Sequence, residues 1–294
     1  MPAATEIMAF LGATEHLVGI THECDFPSFV ASRARVTQSA LGDATDPAAI
    51  DAAVREQSHA GAALFTLHEK KIAALHPDLL LTQAVCDVCA VREEDVRALA
   101  ARLHPPPKVV TLGGTNVEGI LEDIGAVAAA LGVPDEAEEL IAGLRVRLKR
   151  IHDVLKAERA PRPRVALIEW SDPCYVTGHW GPEQVHRAGG RDVAGTAGAH
   201  SVTIPVATLE QADPEIVLFA PCGYSLAAAR DEAERFIKHE DWRWLAGRQV
   251  WALDANGLVS RPGPRVVEGI EAMARIFNPT LFSAIDPVHA VRVA

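Results

Sequence analysis

The chain has 294 residues, 49% of them hydrophobic, enough for one large domain or two ordinary ones with a well-filled core. Its formal net charge is −11 and it carries no Lys/Arg block, which argues against nucleic acid or an anionic membrane surface as a partner. No apolar run of about 18 residues occurs and Met1 to Glu6 lacks a basic start, so neither membrane insertion nor export is expected and the chain reads as cytoplasmic.

A helix is expected over residues 1–16, with Ile7, Phe10 and Leu11 on its apolar face. A short strand, Leu17 to Ile20, then runs into the polar loop Thr21-His22-Glu23-Cys24-Asp25-Phe26-Pro27. Asp46-Pro47 opens a helix carrying Ile50 and Val54, and Leu64 to Leu67 is extended. After a helical stretch ending at Leu75, His76-Pro77-Asp78 introduces the apolar run Leu79-Leu80-Leu81, which reads as a buried strand ending in a Cys86-x-x-Cys89 loop. A helix over Glu93 to Leu103, a strand over Lys108 to Leu112 and a helix reaching Leu131 follow. From Asp135, apolar positions Leu140, Ile141, Leu144, Leu148, Ile151 and Leu155 recur at helical spacing. They predict one helix of roughly 20–24 residues, about 30–36 Å long.

Pro161 and Pro163 end that helix, and Val165 to Ile168 is the next strand. Its end carries Glu169-Trp170-Ser171-Asp172-Pro173-Cys174-Tyr175, and then Gly178-His179-Trp180. Downstream, a helical stretch to Ala212, the triplet Asp213-Pro214-Glu215 and the run Ile216 to Phe219 repeat the grammar of residues 71–81, and this strand delivers Cys222 and Tyr224. Further elements are a helix near Arg230 to Ile237, a strand Gln249 to Leu253, a loop from Asp254 to Pro264 and a closing helix over 265–277. The fold class is α/β, with an N-terminal lobe over 1–117, a linking helical segment over 118–160 and a C-terminal lobe over 161–294. Each lobe offers a cysteine from the carboxyl end of a strand, the edge where open α/β sheets hold ligands.

The five cysteines, Cys24, Cys86, Cys89, Cys174 and Cys222, are an odd number in a chain with no export signal and are expected as reduced thiols. Cys86-x-x-Cys89 has the spacing of half a zinc site, for which His22 with Cys24, or Cys222 with His179, could supply the rest. A protein binding zinc or iron directly is therefore one reading. An enzyme of unknown reaction is another, with His22, Glu23, Glu169 and His179 as an acid/base set should they converge. No Gly-x-Ser-x-Gly, P-loop or His-Glu-x-x-His motif accompanies them. Arg261, beside the rigid Pro262-Gly263-Pro264 turn, is a candidate to aim a guanidinium at ligand carboxylates or amides.

The segments Pro2 to Ile7, Leu17 to Pro27, Pro77 to Leu81 and Ala212 to Val217, with the long linking helix, together resemble the substrate-binding proteins of cobalamin and iron–siderophore uptake, over nearly the whole chain. His22 to Pro27, Cys86 to Val91, Gly178 to Trp180 and Ser260 to Arg265 look most like a leaderless cobalamin-binding subgroup. The resemblance implies two Rossmann-like lobes bridged by one rigid helix. It also implies a first strand ahead of Pro2 that this sequence does not show, and an ABC-type transporter as partner, against which the missing export signal weighs. It implies a cobalamin-like corrinoid or other large metal chelate held in an interlobe cleft without catalysis. Trp170, Tyr175, Trp180 and Tyr224 would be its aromatic walls, and Thr5, His22, Glu23, Cys24, Cys86, Glu169, His179, Cys222 and Arg261 further contacts. His22, Cys24 or His179 could ligate the ligand's cobalt.

Overall fold

A computed structural model describes residues 1–40, 47–59, 64–85 and 91–294. The chain divides into two compact units, Met1–Gly114 with Glu118–Ala142, and Thr115–Val117 with Gly143–Ala294. No helix among the described residues is long and apolar enough to cross a membrane.

The first unit runs α1 (Pro2–Phe10), β1 (Gly19–Ile20), β2 (Ala34–Arg35), β3 (Thr37–Ser39), α2 (Pro47–His59), β4 (Phe65–Leu67), α3 (Glu69–Leu75), β5 (Leu79–Gln83), α4 (Glu93–Arg102), β6 (Lys108–Leu112) and α5 (Val117–Leu131). Leu11 ends α1 with its amide bonded to Ile7 O, and the expected continuation survives only as a 3-10 turn at Thr14–His16. β1 pairs β2 and β5 pairs β6, both parallel, while β3 and β4 are antiparallel. α5 carries Ile120, Leu121, Ile124, Val127 and Ala128, all buried, on the apolar stripe its spacing predicts.

The helix read from Asp135 onward is α6 (Pro134–Ala157), 24 residues, with the unit boundary inside it at Ala142/Gly143. The second unit continues with β7 (Arg164–Ser171), β8 (Cys174–Val176), α7 (Gly181–Arg187), β9 (Arg191–Asp192), β10 (Val202–Thr203), α8 (Val206–Gln211), β11 (Ile216–Phe219), α9 (Leu226–Phe236), β12 (Gln249–Leu253), α10 (Ala255–Leu258), α11 (Val266–Phe277) and β13 (Ala290–Arg292). Its sheet has the order β10-β8-β7-β11-β12-β13, with β9 beside β7, and β7, β11 and β12 are parallel. Both faces are covered, so these strands read as unbroken apolar runs. Val165, Leu167, Ile216 and Leu218 pack on one side with α7, α11 and the end of α6. Ala166, Ile168, Val217 and Phe219 pack on the other with α8, α9 and Trp242.

The repeat seen in sequence is conformational as well. His76 and Asp213, each directly ahead of the proline, hold left-handed φ values of 46° and 51° before β5 and β11. Left-handed backbone is uncommon for residues other than glycine, and its recurrence marks the same helix-to-strand turn in both units.

Candidate functional site

In the second unit the carboxyl ends of β7, β11 and β12 bring their loops together. The β7–β8 ladder shifts register between Ile168 and Trp170, leaving Glu169 at the irregularity, where a bulge redirects side chains. Cys222 N donates to Glu169 O at 2.9 Å, which ties the β11 loop to the end of β7. The ring of Tyr224 in that loop meets Trp170 at 5.5 Å, and Tyr175 lies opposite Trp170 in the β7–β8 register. Asn256 N donates to Tyr224 O at 2.9 Å, and Gly223 N to Ser260 Oγ at 3.2 Å, joining the loop after β12 to the same patch. Glu169, Trp170, Tyr175, Cys222 and Tyr224 are therefore neighbours, and each is partly exposed.

His179 joins them through residues 199–201. Its amide donates to Ala199 O at 2.6 Å, its ring packs edge-on against His200 at 5.2 Å, and Ser201 Oγ donates to Glu169 Oε2 at 2.5 Å. The turn depends on Gly178, whose amide donates to Ser201 Oγ at 3.0 Å and where a Cβ would stand 2.2 Å from Ala199 O. Burial raises the Glu169 pKa, against the Ser201 hydrogen bond, so its carboxyl keeps a proton more readily than an ordinary glutamate. Burial and the neighbouring His200 lower the pKa of His179, which favours the neutral imidazole. A protonatable carboxyl, a neutral imidazole, a thiol and three aromatic rings can hydrogen-bond and stack on a polar-edged ligand. Ser201, His200 and Ser260 carry no linear signal, since their partners lie 20 or more positions away in sequence.

Two expected contacts behave differently. Trp180 is 7% exposed, with Nε1 donating to Val259 O at 2.7 Å, so its indole is committed to packing rather than to a ligand wall. Arg261 is 6% exposed, and its charge, with that of Arg265, acts on the half-buried Asp254 carboxyl. A guanidinium withdrawn to that degree supports its own loop and is not held out to ligand carboxylates. The loop is further clamped by the buried Gln184, whose Nε2 donates to Leu258 O at 2.9 Å and Val266 O at 3.0 Å. Cys174 is a core thiol with its pKa pushed up to about 12 by burial.

In the first unit, the loop after β1 places His22 and Glu23 beside Thr5 of α1. Cys24 is 1% exposed, its Sγ 3.1 Å from both Thr5 Oγ1 and Thr21 Oγ1, so the thiol is satisfied inside the core and is not open to a ligand. His22 Nδ1 lies 2.7 Å from Thr37 Oγ1 and its ring leans on Phe65 at 5.4 Å. Burial first, then the charges of Arg35, the Met1 amino group and His68, lower its pKa. Arg35 donates to the carbonyls of Thr21 and His22 and so fixes this loop from β2. Glu23 is exposed. His22 and Cys24 thus point to different partners rather than toward one ion. Cys86 and Cys89 lie outside the described residues, and among the described residues no group of three His, Cys, Asp or Glu could hold a metal ion.

A sheet covered on both faces, with aromatic and polar loops gathered at the carboxyl ends of its parallel strands, defines an α/β unit built to bind a small molecule. The chain belongs to the periplasmic binding protein family, whose model matches residues 2–249. Solved structures with the same fold include a periplasmic heme-binding protein from Pseudomonas aeruginosa, 22% identical with a TM-score of 0.73, the match covering 98% of this chain and 94% of that one. The periplasmic vitamin B12-binding protein BtuF of Vibrio cholerae is 18% identical with a TM-score of 0.66, covering 95% and 94%. An ABC transporter substrate-binding protein from Listeria monocytogenes EGD-e is 19% identical with a TM-score of 0.69, covering 95% and 96%. No curated protein matches the chain.

Proposed function

We propose that this protein binds a cobalamin-like corrinoid, without chemical change to it, at the strand-end loops described above. The observation that carries the reading is the edge-on pair Trp170–Tyr224 next to the Glu169–Ser201 hydrogen bond. Aromatic rings offer apolar area to a macrocycle, and the Glu169 carboxyl, whose pKa burial raises, can when protonated donate to the peripheral amide oxygens of a corrinoid. The vitamin B12-binding fold relative supports the same ligand class. The neutral imidazole of His179 is the second-unit group suited to ligate the corrinoid cobalt.

The test is calorimetric titration with cyanocobalamin and, separately, with hemin, alongside elemental analysis and a visible spectrum of anaerobically purified protein. Saturable cobalamin binding, with cobalt and corrin bands in the purified protein, is expected. Hemin binding without cobalamin binding assigns the site to a different macrocycle and ends the corrinoid reading.

A further inference from the structure

α6 turns one side inward, where Ala137, Leu144 and Ile151 are buried at heptad spacing. At about 100° per residue the direction opposite them is that of Val146, at the middle of the helix and 67% exposed. Ala142 and Gly143 beside it are exposed too, and a Cβ on Gly143 would meet nothing within 4 Å. Glycine weakens a helix interior, and no packing within the chain requires one here. What Gly143 does supply is a low point at the centre of the outer face, where a second helix can come close.

The charges on this face are divided by end. Asp135, Glu136, Glu138 and Glu139 stand in the first two turns with no cation among them. Toward the other end stand Lys149, Arg150 and Lys156 with Asp153, which Lys149 holds at 2.5 Å. Glu138, Glu139, Arg150 and Lys156 are exposed and have no ion pair among the described residues. A helix face acidic at one end and basic at the other is complementary to itself, and only in the antiparallel sense. About a two-fold axis at Val146, Glu138 of one copy comes level with Lys156 of the other along one edge of the seam. Glu139 comes level with Arg150 along the other edge. A parallel pair would set acid against acid. We propose that α6 is a homodimer interface, pairing antiparallel with α6 of a second copy about a two-fold axis at Val146. A helix of 24 residues is about 36 Å long, so the contact is at the small end of stable interfaces and leans on charge and close approach.

The experiment is sedimentation equilibrium of the full chain at low and at high salt. Dimers at micromolar concentration are expected at low salt, with a Kd at least about tenfold higher at high salt. Glu138→Lys and Lys156→Glu each set like charges together and should weaken self-association by about tenfold or more. An equimolar mixture of these two variants restores both opposite-charge contacts and should dimerise as the wild type does. Gly143→Leu fills the low point. It should also weaken the dimer, with a melting temperature no lower than wild type because leucine is the better helix former. A wild-type chain still monomeric at about 100 µM overturns the proposal. Undiminished self-association of either charge variant, or of Gly143→Leu, overturns it too. A mixture that dimerises no better than its components overturns the antiparallel arrangement.

Discussion

The indole of Trp170 and the phenol ring of Tyr224 meet edge-on, with centroids 5.5 Å apart and planes at 77°. They come from the ends of adjacent parallel strands. An edge-on pair leaves the faces of one ring uncovered by the other, which suits a site that must stack on a flat ligand. Trp170→Ala is expected to weaken cobalamin binding by at least ~1 kcal/mol, about fivefold in Kd, with Tyr224→Ala weakening it less. Calorimetry on the two variants and their double mutant checks this. Wild-type affinity in Trp170→Ala would remove the aromatic wall from the reading.

Trp180 lies five positions from Tyr175 in sequence but does a different job. Its burial and its hydrogen bond to Val259 O predict that Trp180→Ala costs about 3–5 kcal/mol of stability. Urea unfolding measures that cost. Affinity, taken where the variant is fully folded, should stay within about twofold of wild type.

Glu169 and His179 set opposite pH dependences. Burial raises the folded pKa of Glu169 above the ordinary 4.5, so its contribution to stability is full below that value and is lost as pH rises through the folded pKa. Glu169→Gln has no charge to bury, so its melting temperature relative to wild type should climb as pH rises through that window and then level off. The folded pKa of His179 lies below the ordinary 6.5, so its contribution is present above 6.5 and is lost as pH falls through the folded value. His179→Gln should lose less stability than wild type between neutral and mildly acid pH. Melting curves from pH 4 to 8 for the three proteins test both signs.

Gly178 has no room for a methyl group. A Cβ there meets the Ala199 carbonyl oxygen, and backbone cannot move aside as a side-chain tip can. Gly178→Ala is expected to cost about 1–3 kcal/mol and to displace Ser201 from Glu169. A lower melting temperature together with a changed Glu169 titration, followed by carboxyl NMR, identifies the displacement. An unchanged titration would show that the 199–201 segment follows the turn intact.

The Met1 amino group is among the charges that hold the His22 pKa down. Acetylating it removes that charge, so the imidazole should titrate higher while Arg35 and burial keep it below 6.5. Proton NMR of the His22 ring follows the shift.

The large elements were legible because their signals are local and repeated. Six apolar positions at helical spacing mark α6, and short apolar runs mark β7, β11 and β12 as strands, which the structure covers on both faces. The short strands β2, β3, β8, β9, β10 and β13 went unseen, since two or three residues carry no periodicity and exist through ladder bonds to distant partners. The same limit governs the site. Glu169, Trp170, Cys222 and Tyr224 were readable as strand-end residues, because position at a strand end is a local property. Whether a side chain turns outward is not. Trp180, Cys24 and Arg261 stand in loops that read as ligand-facing, yet a carbonyl at Val259 holds Trp180 inward, hydroxyls at Thr5 and Thr21 do the same for Cys24, and Arg261 is buried with its loop.

Gln184 bonds the carbonyls at the two ends of the loop between α10 and α11, which carries Ser260 and Arg261. A single side-chain amide thereby fixes the distance between the loop's two anchor points. Between those anchors Val259 and residues 261–264 are buried and Ser260 alone is half-buried. The span that Gln184 sets is thus filled from within, so loop and scaffold are one packed piece and wholesale replacement of the loop would disturb both.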